Sequence, residues 1–174
     1  MTEVPSQTDA YAIQVLNTLI ETTIDSIDGY GKAADLARNP RFQSLFRDRA
    51  QERQKLVENL KAEVRSFGGE PWDKASFKGR AHRAFLELRD RIGRNSDKPL
   101  VEEVERAEGF IVDRFAGAAS DGQLPDKARG VLERAQETLQ AERGQISAIR
   151  GEFDSKRFVR GDGASRPEPR STST

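Results

Sequence analysis

The chain has 174 residues, 35% apolar and 33% charged, with 29 Lys plus Arg against 29 Asp plus Glu; that length favours one domain, and the neutral balance lacks the basic footprint of a nucleic-acid binder. It holds no cysteine, which excludes disulfides, thiolate metal sites and cysteine nucleophiles. Met1 to Ala10 shows neither a basic n-region nor an apolar h-region, and no apolar run approaches the roughly 18 residues a membrane span needs, so the expected address is the cytoplasm.

Residues 1–8 read as a flexible, polar N-terminus, with Thr8 or Asp9 as the first helix cap. Ile13, Leu16, Ile20, Thr23, Ile27, Tyr30 and Ala34 then recur at steps of three and four, which predicts a first helix over about 9–38. Asn39-Pro40 supplies a cap and an N1 proline for a second helix over 40–67, with Phe42, Phe46, Ala50, Val57, Leu60, Val64 and Phe67 on one face. Gly68-Gly69 stops it. So short a joint makes these two helices antiparallel neighbours.

A long connection follows, opening on the turn-like Glu70-Pro71-Trp72. Phe77, Ala81, Phe85, Leu88 and Ile92 predict a short basic helix over about 77–92 within it. Trp72, Phe77 and Phe85 are the candidate contact surface of this segment; the plainer reading, favoured here, is that they cover an open flank of the fold. Ser96 to Pro99 starts a third helix over 98–119, with Leu100, Val104, Ala107, Ile111, Phe115 and Ala118 inward. Ser120-Asp121-Gly122 breaks it. Pro125 opens a fourth helix over 125–153, which buries Ala128, Leu132, Ala135, Leu139, Ile146, Ile149 and Phe153. From Asp154 to Thr174 the composition turns to Ser, Arg, Gly, Pro and Thr, and a disordered tail is expected. Its Arg160-Gly161-Asp162 matches an adhesion tripeptide, but with no export signal it is read as coincidence.

Asp28-Gly-Tyr30-Gly-Lys-Ala33-Ala34 in the first helix is echoed by Asp113-Arg-Phe115-Ala-Gly-Ala118-Ala119 in the third. The shared Asp-x-aromatic-x-x-Ala-Ala suggests two helical hairpins, first with second and third with fourth, joined by the long middle segment. Short, long, short is the connection pattern of ferritin-like bundles. The expected fold is therefore all-α, a four-helix bundle.

Leu16-Asn-Thr-Leu-Ile-Glu21 leading to Asp28-Gly-Tyr30, then Phe67-Gly-Gly-Glu70-Pro71, then Val104-Glu-Arg-Ala-Glu108 give a chain that resembles the ferritin-like superfamily. More closely it resembles a bacterial branch catalogued as domain of unknown function 2383, over roughly residues 10–153. The resemblance implies a four-helix bundle with no assigned reaction. It also raises a di-metal centre, which classical ferritin-like enzymes build from a carboxylate on each helix and a Glu-x-x-His on two of them. The matching positions here read Glu52-x-x-Lys55 and Glu142-x-x-Gln145, without the histidines. The chain's one histidine, His82, lies in the middle connection beside Lys78, Arg80 and Arg83, as part of a solvated basic face.

Helical geometry, at about 100° per residue, sets Glu21, Asp25 and Asp28 well off the apolar stripe of the first helix, as a solvated row. Arg53, Glu108 and Glu142 instead fall inside their stripes, each near the middle of its helix. A buried charge needs a partner, and one arginine fork can hold two carboxylates. Arg53 is therefore expected to bridge Glu108 and Glu142 at the bundle centre, where relatives hold metals; the alternative is that it snorkels out along the helix edge. Thr23 is a candidate to complete the hydrogen bonding, and Arg49 to neutralise the remaining charge.

The resulting functional expectation is a non-catalytic bundle: structural, stress-associated or partner-binding, with a homodimer or a protein as the possible partner and no cofactor. The alternative is a carboxylate-bridged protein of rubrerythrin or ferroxidase type holding two iron or manganese ions through Glu108 and Glu142, with Glu52 and Glu21 as weaker ligands. Nucleic-acid binding through the basic segments runs against the neutral balance. No phosphate loop, nucleophile elbow or small-molecule site is present in the sequence pattern.

Overall fold

A computed structural model of the chain describes residues 5–73 and 96–161, with side chains to Ser155. Within them lie four helices and no strand: α1 (Gln7–Leu36), α2 (Pro40–Ser66), α3 (Lys98–Ala119) and α4 (Asp126–Gly161). None of the described helices is long and apolar enough to cross a membrane. The helix expected over 77–92, with Phe77, His82 and Phe85, lies outside the described residues.

Local chemistry fixes the helix ends. Ser6, rather than Thr8 or Asp9, caps α1: its hydroxyl accepts from Asp9 N–H at 3.1 Å while the Asp9 carboxylate accepts from Ser6 N–H at 3.3 Å. This reciprocal box satisfies two otherwise orphaned donors, which no cap at residue 8 or 9 would do. Asn39 caps α2 by accepting from Arg41 N–H at 2.9 Å, with Pro40 at N1. Gly68 ends the same helix in the left-handed region at φ 77°, which lets Gly69 N–H reach back to the Val64 carbonyl at 3.0 Å. Gly69 must stay without a side chain, because a Cβ there would come within 2.7 Å of Ile13.

The fourth helix runs further than expected. It passes Phe153 and continues to Gly161, so the polar composition that begins at Asp154 does not mark the end of the helix. Phe153 holds that stretch to Phe42 of α2 with ring centroids 5.9 Å apart, and Lys98 pairs with Asp154 at 2.5 Å. Arg160 and Gly161 are thereby helical, and the rest of the expected tail lies outside the described residues.

α1 packs along α2, α3 along α4, and the two hairpins meet where α1 lies against α3. Their apolar faces form two separate cores. One gathers Leu16, Ile20, Leu60, Ile111, Phe115, Leu132 and Leu139. The other gathers Tyr30, Ala33, Phe42, Phe46, Leu100, Val104 and Ile146. Burial of this kind contributes about 1.5–3 kcal/mol per large apolar side chain, and it sets the helices side by side.

Candidate functional site

Between the two cores runs a charged layer supplied by three helices. On α2, Arg49 and Arg53 stand between Phe46 and Val57, one turn apart and on one face. On α3, Glu108 stands between Val104 and Ile111; on α4, Glu142 stands between Leu139 and Ile146. These charges interrupt otherwise apolar stripes, so the packing that buries the stripes buries them too. Arg53 and Glu108 are each 1% exposed, and Arg49 and Glu142 each 7%.

Both terminal nitrogens of the Arg53 fork are used. Arg53 Nη2 donates to both Glu108 carboxylate oxygens, at 2.9 and 2.8 Å, and Nη1 donates to Glu142 Oε2. Arg49 Nη1 lies 3.6 Å from the other Glu142 oxygen and also donates to Glu52, while its Nη2 donates to Gln145. From the centre outward the charges alternate in sign: Glu108, Arg53, Glu142, Arg49, and then Glu52, whose side chain is 44% exposed. Burial is the strongest single influence on the Arg53 guanidinium and pulls its pKa down, but Glu108 and Glu142 together outweigh it and hold the pKa above the usual arginine value.

Tyr30 of α1 forms the lid of this layer. Its ring lies 5.8 Å from the Arg53 guanidinium, within cation–π range. Burial, and then the nearby Glu108 charge, push its phenol well above the ordinary tyrosine range. The Tyr30 hydroxyl, Arg49 Nε and Arg53 Nε are buried without a hydrogen-bond partner among the described residues.

The structure thus brings Arg53, Glu108, Glu142 and Arg49 together, and the snorkelling alternative for Arg53 does not hold at 1% exposure. Thr23 does not join them. Its hydroxyl donates to the Leu19 carbonyl of its own helix at 2.7 Å, a local bond that a β-hydroxyl inside a helix makes readily. Glu21 is only half-buried on α1 and joins no metal-holding group among the described residues. Trp72 is 44% exposed, with its backbone N–H held by Asn17 Oδ1 at 2.9 Å.

Some buried polar residues escaped the sequence reading. Periodicity places Tyr30 only in the apolar stripe. Asn17 is 2% exposed and ties the loop after α2 to α1 through Glu70 and Trp72; its place four residues after Ile13 and three before Ile20 was the available signal. Asp97, 5% exposed, sends its carboxylate to the N–H groups of Arg38 and Asn39 at 3.1 and 2.9 Å instead of capping α3. Nothing in its local sequence, which reads as a helix start, marks that distant contact.

A di-metal centre does not fit these residues. Two buried guanidinium groups already lie against the central carboxylates, so added cations would meet fixed positive charge. The histidine positions hold Lys55 and Gln145, and Glu52 and Gln145 are engaged by Arg49. Among the described residues no three His, Cys, Asp or Glu side chains gather as a metal-holding group.

No curated protein is significantly similar in sequence. Among solved structures the chain is similar to the bacterioferritin of Desulfovibrio desulfuricans, a protein with a diiron site, at a TM-score of 0.57 and 17% identity, covering 96% of this chain and 95% of that one. At that identity the likeness concerns the fold, which is a ferritin-like four-helix bundle. A family model matches residues 11–121, from the first turns of α1 past the end of α3, and takes in Arg49, Arg53 and Glu108 but not Glu142. With well over half its length matched, the chain belongs to the family described as domain of unknown function (DUF2383).

Proposed function

We propose that this chain is a non-catalytic ferritin-like bundle, a bacterial structural, stress-associated or partner-binding protein, whose own arginine takes the central place that a di-metal relative gives to its ions. The observation that carries this reading is the Arg53 guanidinium, 1% exposed, shared between Glu108 and Glu142. Arg53 is permanently charged and covalently fixed, so it neutralises the carboxylates without exchange, redox change or an open coordination position. The mixed surface charge and the exposed Trp72 indole support contact with a partner over chemistry on a small molecule.

Purification followed by aerobic incubation with Fe(II) or Mn(II), desalting and elemental analysis tests this. The expected result is substoichiometric metal and no protein-dependent iron oxidation. Retention of about two ions per chain, the occupancy of ferritin-like di-metal sites, overturns the proposal in favour of a carboxylate-bridged iron or manganese protein.

A further inference from the structure

The four helices are not held together alike. α1 lies close against α2 and α3, and α3 against α4, but α2 and α4 have almost no close backbone approach. Long side chains span that side. Arg41 reaches Glu152 at 3.4 Å, Arg49 reaches Glu142 at 3.6 Å, Arg53 pairs with Glu142, and Lys127 reaches Glu63 at 3.4 Å. The Phe42–Phe153 ring contact, at 5.9 Å, is an aromatic tie at one end of it.

We propose that the α2–α4 side is a built-in opening seam: the two hairpins part there while the α1–α3 contact serves as the hinge. The energetics favour this side over the other. Parting α1 from α3 exposes apolar side chains to water and rehydrates Glu108 and the Tyr30 hydroxyl but neither arginine. Parting α2 from α4 also exposes apolar side chains, Leu60 and Leu139 among them, but it rehydrates Arg49, Arg53 and Glu142 together, whose removal from water is the main cost of burying them. It also gives water to Arg49 Nε and Arg53 Nε, which have no partner among the described residues in the closed state. Glu142 is the latch, because both arginines meet on it.

Parting leaves α1 packed on α2 and α3, and α3 packed on α1 and α4, whereas α2 and α4 each keep one packed flank. A helix with so little support is marginal in water, so its amides lose protection first. Hydrogen–deuterium exchange of the full-length wild-type chain, resolved by peptide, reads this directly. Amides in the middle of α2 and α4 are expected to exchange faster than those in the middle of α1 and α3. In Glu142→Gln the gap widens, by about tenfold faster exchange in α2 and α4, with α1 and α3 changed less. Equal protection in all four helices, or earlier loss in α1 and α3, overturns the proposal. The wild-type comparison decides it even where the variant fails to fold.

Discussion

Glu142 is the residue on which the charged layer depends most. Both arginines of α2 meet it, so truncation removes at once a carboxylate that two buried cations share, and leaves Arg53 to Glu108 alone. Glu142→Ala is expected to lower stability by roughly 3–5 kcal/mol, read from the urea midpoint at constant m-value. Tyr30 bears less weight. Its hydroxyl is buried beside Glu108 without a well-formed hydrogen bond, so Tyr30→Phe at neutral pH should change stability by no more than about 1 kcal/mol. The fold keeps the phenol protonated above its ordinary value of 10.0. A raised phenol pKa supports the folded state fully below the unfolded value, and the support is lost as pH climbs from 10 through the folded value. Urea unfolding measured on either side of pH 10 should therefore show wild type weakening more steeply than Tyr30→Phe. The charges of this layer were legible in the sequence because Arg53, Glu108 and Glu142 interrupt apolar stripes at one level. Their fine partners were not: Thr23 turns to its own backbone, and Tyr30 joins through its ring, and neither choice follows from periodicity.

At the scale of the element, the four helices were legible because each carries a stripe at helical spacing and a turn-forming residue beside it. What the pattern lacked was information on distant partners. Ser6 wins the first cap because Asp9 answers it one turn on, a reciprocity that a search for single cap residues passes over. α4 outlasts its apolar stripe because ion pairing and Phe153 carry it on. Asn17 and Asp97 matter in the same way: one holds the start of the long connection to α1, and the other holds its return to the α1–α2 turn. Asn17→Ala removes a donor to Glu70 and an acceptor from Trp72, both part-buried. A loss of about 1 kcal/mol in thermal or urea unfolding is expected, with earlier proteolytic cutting after Glu70.

At the scale of the whole molecule, the polar layer has a consequence for how the hairpins line up. Two smooth apolar faces would tolerate sliding along the bundle axis, since leucine against valine is little worse than leucine against isoleucine. One helical turn of slippage is about 5.4 Å, enough to carry the Arg53 fork beyond both glutamates. The stranded charges would then face Val104, Ile111, Leu139 or Ile146, at several kcal/mol for each ion. The arginine layer therefore acts as a detent: it adds little to cohesion, but it rejects every vertical offset except one.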